Sequence, residues 1–304
     1  MIDPRQLRAL AAVATEGSVA RAAKHLGWSQ PTVDYHLRAL DRVANTALTV
    51  RSSRGSTLTP AGNLMLERGE EILALSERAV ADVREFAKAG SARLRFGSFP
   101  TAAAHLLPGI VSRLSEIDIE LDVTLEEIAP LVARINQHTI DAALVYTATG
   151  YSLPFRTEVH TTRVLTDPLL LALPQTHAQA SRESFETEDL LRLEHDSWVF
   201  GATPGDTLDA AVVDVFAGAG RRFEVAIRTD DYAVALGMVA AGMGVALVPR
   251  LATVSVPDGA VLRPISDPRF SREILLAAPG TPGGPPQAVR QLAEAVRQAV
   301  SALG

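Results

Sequence analysis

The sequence predicts an α/β chain in which a small helical module precedes a larger body of alternating strands and helices. Three observations carry this. The chain has 304 residues and 47% hydrophobic content, enough for two or three domains with sizeable cores. Charge is divided along it: residues 1–58 hold eight Lys/Arg against four acids, a net +4, while the remainder holds 21 against 31, a net −10. Apart from one short hairpin, the hydrophobic period is helical as far as Lys88 and becomes a strand and helix alternation from Ala92.

In the first helix Leu7, Leu10, Val13 and Ala14 recur at helical spacing, and Glu16-Gly17-Ser18 breaks the pattern, with Ser18 as a candidate N-cap. A second helix, Val19–Leu26, sets Val19, Ala22, Ala23 and Leu26 on one face before the turn Gly27-Trp28-Ser29. Ser29 can cap a third helix with Pro31 in its first turn, where proline forfeits no hydrogen bond. Val33, Leu37 and Leu40 then point inward and leave Gln30, Thr32, Asp34, Tyr35 and Arg38 outward. Leu48–Arg51 and Thr57–Thr59 are β-prone pieces around Ser52–Ser56, a hairpin with a basic tip. Pro60 opens a long helix with an apolar stripe of Ile72, Leu75, Ala79, Val83 and Phe86, which packs either on its own domain or on a second subunit.

The body is expected to contain strands at Leu94–Ser98, Ile119–Leu125 and Ala142–Tyr146, with helices Thr101–Leu114 and Ile128–Asn136 between them. A second set has strands near Val164–Leu173, Trp198–Phe200, Phe223–Arg228 and Val245–Pro249, with helices Thr207–Ala217 and Tyr232–Ala241. Strands near Val261–Pro264 and Glu273–Ala278 and a helix from Pro286 to Leu303 close it. Such alternation implies mostly parallel sheets covered on both faces.

Several function classes are excluded. Without cysteine, disulfides, thiolate metal sites and cysteine-based redox sensing cannot form. The opening MIDPRQLRAL lacks a signal-peptide core, so a cytoplasmic protein is expected. The uncharged stretch Ala233–Val248 is interrupted by glycines and too short to span a bilayer, so no membrane partner is expected. The seven histidines form no i, i+4 pair with a flanking acid and no Gly-x-Ser-x-Gly elbow occurs, so catalytic residues, metals and cofactors are all expected to be none. Gly242-Met243-Gly244 follows a helix and precedes a strand, the reverse of a nucleotide-binding loop, and reads as a helix stop.

A helix, a tight turn and a second helix with outward polar residues is the geometry that enters a DNA major groove. At this level the chain resembles a known family. The runs Glu16–Leu26, Ser29-Gln30-Pro31-Thr32-Val33 and Leu58-Thr59-Pro60-Ala61-Gly62 are similar to the N-terminus of LysR-type transcription regulators over about sixty positions. The resemblance implies a winged helix-turn-helix over 1–58, a dimerising linker helix over 59–90 and an effector-binding domain over 91–304, two-lobed like a periplasmic binding protein. Lobe I would take residues 91–163 and 265–304, and lobe II residues 164–264.

It also implies partners: double-stranded DNA, an unknown small-molecule effector, a homodimer or homotetramer, and RNA polymerase as a further candidate. Gln30, Thr32, Tyr35 and Arg38 offer donors and stacking surface to bases and phosphates, with Ser29 and Pro31 at the helix start. Arg51 and Arg54 are candidate phosphate contacts from the wing. Asp34 departs from the family's usual serine, and would either accept from a cytosine amino group or hold a neighbouring arginine. Ala44-Asn45 stands where a glycine is usual, and Leu48-Thr49-Val50-Arg51 lacks the common phenylalanine. In the body, Ser98, Phe99 and Thr101 after one strand, Tyr146 and Thr147 after another, and Phe200, Gly201, Thr203, Thr229 and Asp230 in the second lobe would line an effector cleft. The competing reading makes Ser98, Thr101 and Asp230 helix caps only.

Overall fold

The computed structural model describes residues 1–52, 55–89, 92–202, 207–281 and 283–303. They fall into two compact units, Met1–Gly90 with Gln137–Thr139, and Ser91–Asn136 with Ile140–Gly304.

The first unit contains α1 (Pro4–Glu16), α2 (Val19–Leu26), α3 (Gln30–Ala44), the antiparallel hairpin β1 (Thr49–Ser52) and β2 (Gly55–Leu58), and α4 (Pro60–Ala89). Its helix boundaries are written in short polar residues. Asp3 and Gln6 form a capping box on α1, Ser18 caps α2, and Ser29 caps α3 through the Thr32 amide at 3.3 Å. Asn45 ends α3 in the left-handed region at φ 52°, doing there what glycine would do. Leu7, Leu10, Val13, Ala22, Ala23, Val33, Leu37, Leu40 and Leu48 form one core, on which Met65, Leu66 and Leu73 of α4 also pack.

The join between the hairpin and α4 explains the Leu58–Gly62 run. Thr59 Oγ1 donates to the Ala47 carbonyl and accepts from the Gly62 amide, both at 2.9 Å, tying the start of α4 to the chain before β1. A Cβ on Gly62 would lie 2.0 Å from the Leu48 carbonyl oxygen. Gly62→Ala is therefore expected to destabilise this unit by about 1–3 kcal/mol through backbone overpacking. Faster amide hydrogen exchange throughout residues 1–58 of the full chain is the measurement that checks it.

The stripe on α4 is exposed in the single chain: Ile72, Leu75 and Val83 are 43%, 50% and 69% accessible. The Phe86 side chain lies outside the described residues.

In the second unit, β3 (Ala92–Ser98), β4 (Ile119–Leu125) and β5 (Ala142–Ala148) alternate with α5 (Pro100–Ser115) and α6 (Ile128–Asn136). The 15-residue β6 (His160–Pro174) follows. Then come β7 (Ser197–Phe200), α7 (Thr207–Gly218), β8 (Glu224–Arg228), α8 (Tyr232–Ala240), β9 (Val245–Pro249), β10 (Ala260–Pro264), β11 (Ser271–Ala278) and α9 (Gln287–Ser301). The strand order is β4-β3-β5-β11-β6-β9-β7-β8, with β10 also on β6.

The expectation of mostly parallel pairing is corrected here. β3 is parallel to β4 and β5, and β7 to β8 and β9, but β11 is antiparallel to β5 and β6, and β6 is antiparallel to β9 and β10. The reason is that two strands carry the chain between lobes. β6 pairs with β11 over His160–Pro168 and with β9 and β10 beyond that point, so it leaves lobe I and enters lobe II; β11 returns. Opposite crossings place antiparallel strands at the middle of the sheet.

Lobe I packs α5 and α9 on the sheet through Phe96, Leu106, Ile110, Leu144, Leu292 and Val296, all buried. Each such side chain contributes about 1.5–3 kcal/mol of burial free energy. Lobe II centres on Trp198, Phe200, Phe216 and Phe223, whose neighbouring rings have centroids 4.8–6.1 Å apart. Gly242 stops α8 at φ 76°, and a Cβ on Gly244 would meet the Ser197 carbonyl at 2.4 Å, so this pair is a helix stop and a close strand approach.

Asp267 organises the turn that returns the chain to β11. It accepts from the Arg269 side chain, the Arg269 amide and Thr187 Oγ1 at 2.6–2.8 Å, and these bonds, the Arg269 side chain foremost, hold its carboxyl well below the usual range. The sign follows from the depressed value. The stabilisation is present above the unfolded value of 3.8 and is lost as pH falls below it toward the folded one. Asp267→Asn is expected to flatten the acid limb of a melting-temperature profile below about pH 4.

Candidate functional site

The exposed face of α3 follows from its buried one. Val33, Leu37 and Leu40 occupy the core, which turns Gln30, Pro31, Tyr35 and Arg38 to solvent and leaves Thr32 and Asp34 half-buried. Tyr35 is 64% accessible yet supported: its ring meets the buried His36 edge-on at 5.3 Å, and His36 in turn lies 5.3 Å from Trp28. The His36 and Trp28 support was not anticipated from the sequence, because neither residue lies on the outward face. Their aromatic spacing, Trp28 before the helix and His36 after Tyr35, was the available signal.

Ser29 Oγ lies 2.8 Å from Thr32 Oγ1, so Ser29 and Thr32 organise the first turn of α3. Asp34 takes the second of its two possible roles among protein groups: its carboxylate pairs with the Arg51 guanidinium. This ties the wing strand β1 to α3. Arg54 at the wing tip lies outside the described residues.

In the second unit a cavity of about 60 Å³ lies between the lobes and adjoins a wider one of about 540 Å³, the two sharing Pro100, Thr101, Glu127, Asp230 and Tyr232. Phe99, Thr101, Tyr146, Phe200, Gly201, Thr229 and Asp230, all expected at the cleft, line the smaller cavity. Ser98 and Thr147 do not. Both are buried, at 0% and 2% accessibility: Ser98 is the last residue of β3, paired with Leu125 of β4, and β5 continues through Thr147 to Ala148. The expectation that Tyr146 and Thr147 follow their strand is corrected likewise: β5 runs to Ala148, so the two residues point to opposite faces, and only Tyr146 reaches the cleft. Thr203 lies outside the described residues.

The helix-cap reading fails for Ser98 and Asp230. The N-cap position of α5 is Phe99, with no side-chain cap, and Ser98 Oγ donates to the Phe99 carbonyl at 3.3 Å. Asp231, not Asp230, caps α8, bonding the Ala233 and Val234 amides. Asp230 accepts from the Ala202 amide at 2.8 Å and faces the cleft.

The main residue missed is Arg272. It has no exposed area, and it donates from Nε to Asp167 Oδ2 at 3.0 Å and from Nη2 to Thr101 Oγ1 at 2.9 Å. Its guanidinium lies 5.1 Å from the Phe99 ring and 4.9 Å from that of Tyr146. Asp167 also accepts from the Leu251 amide at 3.1 Å, so the pair joins the crossover strands to lobe II. Strand β11 begins two residues before the expected Glu273, which brings Arg272 into line with Ile274 and Leu276 on an apolar face. An arginine at that spacing was the signal.

Comparison with known proteins accounts for both units. Residues 4–63 match the family model "Bacterial regulatory helix-turn-helix protein, lysR family", and residues 87–301 match "LysR substrate binding domain". The small neutral protease regulatory protein of Streptomyces coelicolor is 31% identical over 280 residues, covering 91% of this chain and 82% of the relative. The HTH-type transcriptional regulator TfdS of Cupriavidus pinatubonensis is 30% identical over 246 residues, 81% of each chain. Among solved structures, full-length BenM superposes with TM-score 0.59 at 21% identity, over 99% of this chain and 98% of that one. Full-length CbnR complexed with its target DNA gives 0.53 at 24% identity, over 98% and 99%. With a helix-turn-helix unit, an α/β body divided by two crossover strands and matches along nearly its whole length, the chain belongs to the LysR family of transcriptional regulators.

Proposed function

We propose that Gln30, Thr32, Tyr35 and Arg38 on α3 read base edges in the major groove, while Ser29 and Pro31 set the helix start and Arg51 and Arg54 grip phosphates from the wing. The observation that carries this is the polar outward face of α3, with Tyr35 supported from behind, on a module of net +4. Asp34 positions Arg51 and is not itself a base contact. Residues 1–58 form the reader and 59–90 the dimerising helix, whose exposed stripe is covered by a second subunit in a homodimer or homotetramer.

Residues 91–304 are the sensor, with lobe I over 91–163 and 265–304 and lobe II over 164–264. A small-molecule effector occupies the cleft at Phe99, Thr101, Tyr146, Phe200, Gly201, Thr229 and Asp230, and shifts the population of lobe arrangements. The chain is a regulator and not an enzyme, works in the cytoplasm, and meets RNA polymerase at its promoters. Footprinting of the full chain on the DNA upstream of its own gene tests the DNA reading, with nonspecific competitor and several salt concentrations. A dyad-symmetric protected site is expected. Salt-sensitive binding without a defined site removes the claim of sequence-specific reading.

A further inference from the structure

We propose that the effector presents a carboxylate to Arg272 and a hydrogen-bond donor to the opposite wall of the cleft, which makes it a small hydroxy- or amino-monocarboxylic acid. This rests on the cleft reading proposed above and specifies its ligand. A guanidinium has five N–H donors in a planar fork. In Arg272, Asp167 and Thr101 take up Nε and Nη2, the rings of Phe99 and Tyr146 cover the faces, and Nη1 has no hydrogen-bond partner among the described residues although the side chain is wholly buried. A buried charged donor without an acceptor is costly, and an acceptor arriving there removes the cost. The neighbouring start of α5 has no side-chain cap, so its amide dipoles favour the same negative group.

The other wall decides which anion. Asp209 and Asp230 belong to lobe II and line the same cavity, where they accept the Gly201 and Ala202 amides at 2.9 and 2.8 Å. Their carboxylates oppose a second negative charge and welcome a hydroxyl or ammonium group. A doubly charged phosphate or sulfate therefore fits worse than a single carboxylate. The cavity of about 60 Å³ limits the part held between the lobes to a few heavy atoms, with the wider cavity beside it open to the rest.

Melting of the full-length chain tests this, with small hydroxy- and amino-monocarboxylates, their methyl esters, inorganic phosphate and sulfate each present at about 5 mM. At least one acid is expected to raise the melting temperature while its ester does not. Arg272→Lys and, as a variant that keeps the buried charge pair, Thr101→Val should each weaken that acid by about tenfold or more. Equal response to acid and ester, response to phosphate or sulfate alone, or an acid response unchanged in both variants overturns the proposal. The two readings fail differently: an uncharged compound that shifts both melting and the footprint leaves the cleft reading standing without the carboxylate, whereas silence from every compound class removes both.

Discussion

Replacing Asp167 with alanine is expected to cost the C-terminal unit about 3–5 kcal/mol, because it strands the Arg272 guanidinium in a buried position. For a unit of this size that corresponds to a fall in melting temperature of roughly 6–20 °C. Two features make the loss larger than that of any surface ion pair here. Neither partner is exposed by more than 2%, so water cannot replace the missing carboxylate, and the same substitution also deprives the Leu251 amide of its acceptor. By contrast, Arg297–Glu294, with both side chains more than half exposed, contributes about 0–1 kcal/mol. A double variant, Asp167→Leu with Arg272→Met, should recover much of the loss, since an apolar pair of similar volume carries no stranded charge. Thermal unfolding of wild type, Asp167→Leu, Arg272→Met and the double closes the cycle. A double variant as unstable as the sum of the singles would mean that the pair does not act as a unit.

Alanine at Gln30, Tyr35 and Arg38 together is expected to abolish sequence-specific DNA binding while the fold survives. Each base interaction is worth about 1–3 kcal/mol, so removing three weakens the specific site by about a hundredfold or more. Nonspecific binding should persist, because Arg5, Arg8, Arg21, Lys24, Arg42 and Arg51 remain on the module, with the salt slope reduced by about one for each phosphate that is no longer neutralised. The three side chains lie outside the hydrophobic core, so the melting temperature should hold within a few degrees. A variant with an unchanged footprint would remove α3 as the reader.

The N-terminal unit was legible in detail because its signals are local. Ser18 and Ser29 cap helices by bonding amides within three residues, Pro31 sits where a helix needs no donor, and the 3.6-residue period separates Val33 and Leu37 from Tyr35 and Arg38. The role of Asp34 was not legible, since its partner Arg51 lies 17 residues away on another element. In the body, strands and helices were found nearly in full, but pairing direction was not, because nothing local distinguishes a strand that returns beside its predecessor from one that crosses into another lobe. Thr147 was misplaced for a related reason: a polar residue at a strand end and one inside the sheet look alike until the strand length is known, whereas Ser98 does end its strand and is buried there by packing that no local pattern records.

Composition, spacing and charge alone therefore determined the two-part organisation, the helix-turn-helix and its outward face, since these depend on neighbours within about one helical turn and on charge summed over segments. Only the tertiary structure decided which residues meet at the cleft. Arg272 reaches Asp167 and Thr101 across 105 and 171 positions of chain, and such a meeting is fixed by sheet register and the two lobe crossings, for which no local pattern exists.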